Sequence, residues 1–272
     1  MFCDNPPMKD EILDLGNIDK PLLVFGGPYS NLQATQAMRR EALALGIPPE
    51  RTICTGDVVA YCASPHETIA ELRDWGCYVL LGNCEESLGQ EADDCGCGFT
   101  EGSACSLLSV QWYQYANNRV TQTDRLWMSS LPRIIQFRLG SVKAVVVHGA
   151  ASSINRFIFS STQAAELLAE FAESKADMII AGHSGIPFTR LIKDEFGQNK
   201  LWHNAGVIGM PANDGRPEVW YSIIDPQPGG VLPGTEHRSL SYPAAAAQQE
   251  MRRAGLVNGY ADALTSGLWP GM

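Results

Sequence analysis

The segment RTICTGDVVAYCASPHETIAELRDWGCYVLLGN, residues 51–83, decides the fold class because it places a helical pattern between two short apolar runs. RTICTGD and CYVLLGN are each typical of a short buried strand. In SPHETIAELRDWG, Ser64 suits the N-cap of a helix, Pro65 its first turn and Gly76 its end. A strand, a helix and a strand with short connections predict a parallel βαβ unit and an α/β fold.

The flanking sequence repeats this alternation. PLLVFGG predicts a strand before the segment, and the helical pattern that follows it ends at Gly46. Further strands are predicted in LPRIIQFRLGSVKAVVVHGA, ADMIIAGHSG, FTRLIKDEFGQNKLWHNAGVIG and PEVWYSIID, and further helices near 105–117, 122–130 and 161–175. We expect residues 1–272 to form a single domain that closes with a helical tail over about 243–272.

The composition narrows the class of function. The 272 residues are 45% hydrophobic and 18% charged, which is a globular composition, and the net charge of −10 argues against nucleic-acid binding. No apolar run is long enough for a membrane span, and MFCDNPPMKDEILDL lacks the features of a signal peptide. We therefore expect a cytoplasmic protein, in which most of the eight cysteines are free thiols or metal ligands. We expect small, mostly buried hydrophobic side chains without a chemical role at Cys3, Cys54, Cys62, Cys77 and Cys105.

Four short motifs follow predicted strands and carry side chains that bind metals. They are Gly56-Asp57, Gly82-Asn83, His148-Gly149 and Gly182-His183. In α/β sheets, ligands bind beyond the carboxyl ends of the strands, so these side chains should converge. One carboxylate, one amide and two imidazoles suit a divalent transition metal such as Fe, Mn or Zn.

These motifs resemble the calcineurin-like metallophosphoesterase superfamily, and most closely its small bacterial phosphatase and phosphodiesterase branch. The blocks that carry the resemblance are SNLQA, GDVVAYCASPHE, GNCEE, VVVHGAASS, GHSGIPF and NAGVIGMP, between residues 30 and 211. The resemblance spans roughly residues 20–260. It implies a four-layer α-β-β-α sandwich of two mixed sheets and a metal-dependent hydrolase of phosphate esters or diesters.

The sequence departs from the family pattern at one of two metal positions. Gly27 stands where the family has a metal-binding Asp, Tyr29 where it has a His, and Gly185 where it has the second His of the last block. The resemblance implies that the other metal keeps its full set of ligands, which are Asp57, Asn83, His148 and His183. We therefore predict one metal per chain, with Asp57 also serving catalysis.

Cys84 stands where the family has a histidine that assists the leaving group. Three interpretations stay open: a general acid, a thiolate that acts as metal ligand or nucleophile, or an inert thiol in a retired site. The acidic, glycine-rich stretch 84–105 is predicted to be a loop. Its Cys95 and Cys97 either complete a thiolate-rich site with Cys84 or lie on the surface without a role.

Four further residues are candidates for substrate binding. Tyr29 either points its phenol into the vacated metal position or packs as an aromatic, and Arg156 can bind a phosphate. His66 begins a helix and can be structural, and His203 either reaches the site or is exposed on a strand. In the tail, Leu268 and Trp269 can pack on the core or on a second copy of the chain.

Three functions remain open from the sequence. The first is hydrolysis of a small phosphate ester or diester with one metal. The second is a repurposed enzyme with one metal, such as iron, that uses Cys84 on a sulfur-containing or other non-phosphate substrate. The third is a metal-binding or ligand-binding protein without catalysis. The expected partner is a small molecule, with a homo-oligomer possible and neither nucleic acid nor membrane involved.

Overall fold

The computed structural model describes residues 12–97, 104–227, 229 and 232–270. A six-stranded sheet has the spatial order β1 (Ile12–Asn17), β5 (Ile134–Leu139), β6 (Val142–Val146), β7 (Met178–Ala181), β9 (Asn199–Asn204) and β8 (Phe188–Lys193). A five-stranded sheet has the order β11 (Gly234–Leu240), β10 (Val219–Asp225), β2 (Leu22–Phe25), β3 (Thr52–Cys54) and β4 (Tyr78–Val79). Both sheets mix parallel and antiparallel pairs, as expected from the sequence.

The helices follow the strands in the predicted alternation. They are α1 (Leu32–Ala44), α2 (Pro65–Trp75), α3 (Asn83–Gly89), α4 (Ala104–Asn117), α5 (Gln122–Met128), α6 (Ala164–Ser174), α7 (Ala244–Arg253) and α8 (Gly259–Ser266). Helices α7 and α8 lie in the stretch predicted to be a helical tail. No helix in the described part of the chain is long and apolar enough to cross a membrane.

The alternation of side chains along β2 explains the layered packing. Leu22 and Val24 belong to the apolar core between the two sheets, whereas Leu23 and Phe25 belong to the core shared with the helices on the other face. A strand that is buried on both faces reads as a continuous apolar run, and all four residues of β2 are buried. A third core packs the outer face of the six-stranded sheet against α6. The layers are thus helix, sheet, sheet and helix.

Three local predictions need correction. Residues 83–89 form helix α3 rather than the start of a loop, because the Glu85 carboxylate accepts the Gly82 N–H at 3.1 Å and fixes the first turn. Strands β1 and β11 were not predicted, since both are edge strands with exposed polar positions. Ser64 precedes α2 but does not cap it through its side chain, because its hydroxyl donates to Glu250 at 3.0 Å.

Three of the five cysteines that were expected to be small buried hydrophobic residues are at least partly buried. Cys54 and Cys62 are buried and Cys77 is partly buried. Cys3 and the side chain of Cys105 lie outside the described residues.

Candidate metal centre

The four predicted metal-binding side chains lie at one edge of the sandwich, immediately after strands of both sheets. Asp57 follows β3, Asn83 follows β4, His148 follows β6 and His183 follows β7. All four side chains are buried. The turn into Asp57 needs a glycine, because Gly56 has φ of +94° and a Cβ there would lie 2.9 Å from Nδ1 of His148.

The donor atoms of these side chains face one another at short range. His148 Nε2 lies 3.0 Å from Asn83 Oδ1, 3.1 Å from His183 Nδ1 and 3.3 Å from Asp57 Oδ2. His183 Nδ1 lies 3.9 Å from the same Asp57 oxygen. Ligands that bind one zinc-like ion at about 2.0–2.2 Å are separated by similar distances, so the four atoms surround a space of the right size for one metal.

The hydrogen bonds around the cluster orient two of these donor atoms. His148 Nδ1 lies 2.7 Å from the carbonyl oxygen of Thr55, so this nitrogen donates to Thr55 and Nε2 is the nitrogen that faces the cluster. The Asn83 amide donates its N–H to the carbonyl of Cys95 at 2.9 Å, which turns Oδ1 towards His148. A carboxylate oxygen, an amide oxygen and two imidazole nitrogens that converge in a buried space are a donor set for a divalent transition metal. The residues present therefore fit a bound metal ion.

The pKa shifts in the cluster couple Asp57 to the two histidines. Burial opposes ionisation of Asp57, but His148 and His183 outweigh it, and the pKa of Asp57 lies well below its usual range. Burial lowers the pKa of His183, which keeps that imidazole neutral. Burial opposes protonation of His148, but the Asp57 charge outweighs it and raises the pKa of His148, so a metal would displace a proton from His148 Nε2.

Tyr29 lies beside Gly27 and Gly185, the two glycines that depart from the family pattern. A Cβ built on Gly27 would lie 2.5 Å from Cζ of Tyr29, so the ring occupies the space of any larger side chain there. A Cβ built on Gly185 would lie 3.7 Å from the Tyr29 hydroxyl. Tyr29 itself has φ of +52°, a backbone conformation that non-glycine residues rarely adopt. The ring thus lies between both departures from the family pattern.

A cavity of about 310 Å³ opens above Asp57 and His183. Its walls are mainly aromatic and apolar, and come from Tyr29, Tyr61, Phe157, Phe159, Ile186 and Trp269. Trp269 packs on Tyr61 and Tyr260 with ring centroids 5.6 Å and 5.8 Å apart. The tail residue therefore packs on the chain's own core, while Leu268 is exposed.

Comparison with known proteins supports the fold. No protein-family model matches the chain. A metallophosphoesterase from Sphaerobacter thermophilus aligns with a TM-score of 0.69 at 19% identity, over 92% of this chain and 100% of that one. The chain has the metallophosphoesterase fold.

Two further proteins are similar to this chain. A hypothetical protein from Pyrococcus horikoshii OT3 aligns with a TM-score of 0.72 at 14% identity, over 91% of this chain and 98% of that one. An uncharacterized protein of Methanocaldococcus jannaschii is 27% identical over 220 residues, which is 75% of this chain and 82% of the relative.

Within this metallophosphoesterase fold, Cys84 lies beside the metal-binding cluster without facing the cavity. Its backbone N–H points to Asp57 Oδ1 at 3.4 Å, and its Sγ accepts from the Asn83 amide at 3.5 Å. Burial, together with the neighbouring carboxylates of Asp57 and Glu85, raises the pKa of the Cys84 thiol well above its usual value. The thiol is not among the residues that line the cavity.

Cys95 and Cys97 are close to the cluster but are joined to each other. The structure pairs them in a disulfide, so the expectation of free thiols is wrong for these two residues. Cys97 Sγ lies 4.0 Å from Cys84 Sγ, and Cys97 also lines the cavity. The interpretation of Cys95 and Cys97 as surface residues is wrong too, because both are buried.

Three candidate substrate-binding residues lie away from the cavity. Arg156 pairs with Glu170 and Glu166 of α6, each at 2.7 Å, so its guanidinium is already neutralised. His66 Nδ1 lies 2.8 Å from Asp124 Oδ2, near the start of α2. None of the three lines the cavity.

His203, the third of these residues, is buried rather than exposed. Its imidazole stacks on that of His237 with ring centroids 4.5 Å apart, and its Nδ1 lies 2.8 Å from the Thr189 hydroxyl. Burial and the neighbouring His237 lower the pKa of His203 well below its usual value. This histidine is a neutral core residue.

Glu85 was missed by the sequence analysis although it supports the centre. Its buried carboxylate accepts the backbone N–H groups of Asp57, Val59 and Gly82 at 2.7, 3.1 and 3.1 Å. Burial, with the Asp57 charge nearby, raises the pKa of Glu85 to about 7. In the acidic GNCEE stretch, Glu85 is typical of a solvent-exposed carboxylate, and no sequence pattern distinguishes it from Glu86.

Proposed function

We propose that the protein is a metal-dependent hydrolase of a small phosphate ester that works with one divalent transition metal, Fe, Mn or Zn. The observation that carries the proposal is the cluster of Asp57, Asn83, His148 and His183, of which Asp57 and His183 line a cavity. Tyr29 takes the space of a second metal. A small-molecule substrate is the expected partner.

Each ligand has its own support in the structure. Asp57 is held by its backbone N–H, which donates to Glu85, and by the Cys84 N–H near its Oδ1. Asn83 and His148 are oriented by the carbonyls of Cys95 and Thr55. Such outer contacts fix the direction of each ligand before metal or substrate arrives. When bound, the metal supplies Lewis acidity that acidifies water and polarises a phosphoryl oxygen.

Tyr29 can replace part of the electrostatic stabilisation that a second metal would give to the substrate. Burial raises the pKa of its phenol well above the usual value, so the hydroxyl stays a donor. Because Tyr29 lines the cavity together with Asp57 and His183, it can donate to a phosphoryl oxygen that develops charge. We assign Tyr29 this substrate-contacting role.

Cys84 has a supporting role in this proposal. Its thiol does not line the cavity, which does not favour a nucleophile or a reaction on a sulfur-containing substrate. The backbone contact with Asp57 remains its contribution. Cys84→Ser should therefore retain most of the activity and all of the metal.

The direct test is turnover by protein that has been stripped of metal and reconstituted separately with Mn, Fe, Co and Zn. We expect release of p-nitrophenol from bis(p-nitrophenyl) phosphate with at least one metal and none after chelation. A protein that binds metal stoichiometrically but hydrolyses neither this diester nor p-nitrophenyl phosphate would contradict the proposal and favour a binding protein without catalysis.

A further inference from the structure

The cavity above the metal centre has the size of a small ligand rather than of a long polymer. Its volume of about 310 Å³ lies at the lower end of the range for small-molecule sites, which is about 300–1,000 Å³. An engineered apolar cavity of about 150 Å³ in another protein holds one benzene molecule. The space here therefore suits one aromatic ring together with a phosphate group.

The walls of the cavity match a flat apolar group. Tyr29 and Tyr61 meet edge to face with ring centroids 4.8 Å apart, and the Phe157 ring lies over the His183 imidazole at 4.2 Å. At the mouth, Phe159 is 40% exposed and Ile186 is 39% exposed. Large apolar side chains that remain exposed around a concave site mark a surface that binds an apolar group.

The charge of the site matches an ester with one negative charge. None of the described residues that line the cavity is a lysine or an arginine. A divalent metal held by one carboxylate, Asp57, and by the side chains of Asn83, His148 and His183 would carry a net charge of about +1 towards the cavity. The Glu85 carboxylate binds backbone N–H groups and does not line the cavity. A phosphodiester carries one negative charge and neutralises this site, whereas a second phosphate charge would have no cationic side chain to pair with it.

We infer that the substrate is a phosphodiester in which one ester group is a flat aromatic ring, held against Phe159, Phe157 and Tyr61. This inference rests on the proposed function, whose site it specifies. In the reaction, a water oxygen forms a bond to phosphorus and the bond from phosphorus to the aryl oxygen breaks. One water proton passes to the departing aryl oxide, so the products are a phenol and a phosphate monoester.

The test compares binding of three small probes to metal-loaded protein by calorimetry. Methyl phenyl phosphate has the ring and one charge, dimethyl phosphate lacks the ring, and phenyl phosphate carries the second charge. We expect methyl phenyl phosphate to bind at least about tenfold more tightly than dimethyl phosphate, because the ring buries apolar surface. We also expect it to bind more tightly than phenyl phosphate. Equal binding of methyl phenyl phosphate and dimethyl phosphate would overturn the inference.

A matched pair of variants locates the ring. Phe159→Ala should weaken the binding of methyl phenyl phosphate severalfold and leave the binding of dimethyl phosphate unchanged. Phe196→Ala removes an equally apolar side chain that is 79% exposed and lies outside the cavity, and it should change neither. Equal effects of the two variants would place the ring elsewhere and contradict the inference.

The two proposals fail separately. Tight binding of methyl phenyl phosphate without any hydrolysis would overturn the hydrolase and keep the specificity for the ring. Hydrolysis of diesters with no preference for an aryl group would keep the hydrolase and overturn the specificity for the ring.

Discussion

His148→Ala is expected to lower metal affinity and phosphodiester hydrolysis by at least about 100-fold each, since loss of a direct ligand exceeds the cost of an altered outer contact. His148 Nε2 lies within 3.3 Å of the donor atoms of Asn83, His183 and Asp57, which makes it the centre of the cluster. Elemental analysis and p-nitrophenol release measure the two losses.

The control for this variant is His66→Ala. His66 pairs with Asp124 near the start of α2 and lies outside the cavity, so its loss should change neither metal content nor turnover. Circular dichroism of both variants checks that the fold persists. Full metal content in His148→Ala would contradict the assignment of the ligands.

Gly27→Asp is expected to destabilise the protein by about 3 kcal/mol or more, because it overpacks a buried site at an unfavourable backbone conformation. This substitution restores the residue that the family pattern has at this position. In the present structure its Cβ would lie 2.5 Å from Tyr29 Cζ and 2.7 Å from Val207 Cγ1, at φ of +41°. Denaturant unfolding gives the change in the free energy of unfolding.

Gly46→Asp separates the clash from the backbone strain. Gly46 also has a positive φ, of +66°, but a Cβ there meets no atom within 4 Å. We expect this control to cost only about 1 kcal/mol. Gly27→Asp combined with Tyr29→Ala should recover part of the lost stability, because the ring is gone. A Gly27→Asp variant as stable as the Gly46→Asp control would show that Tyr29 does not occupy the space of the missing ligand.

The convergence of the four candidate ligands could be predicted from the sequence because each follows an apolar strand. The end of a strand is a local signal, and the layered topology brings such ends together. Tyr29 was recognised as a candidate for the vacated position, but its location needed the structure. The position of a ring over Gly27 depends on a positive φ at residue 29, which the sequence does not indicate.

The residues that could not be predicted depend on contacts distant in the sequence. Glu85 serves three backbone N–H groups, two of which belong to the loop after β3. Arg156 was a candidate for binding phosphate, but Glu166 and Glu170 of α6 pair with it. Edge strand β11 is paired only through β10, and its polar sequence carries no apolar alternation to reveal it.

The number of metal ions per chain tests the central claim most directly. Protein equilibrated with excess Mn, freed of unbound metal by gel filtration and analysed for elements should contain about one ion per chain. The electron paramagnetic resonance spectrum of that ion should show no coupling to a second one. About two ions per chain, with coupled spectra, would show that other side chains replace the ligands lost at Gly27, Tyr29 and Gly185, and would contradict the account.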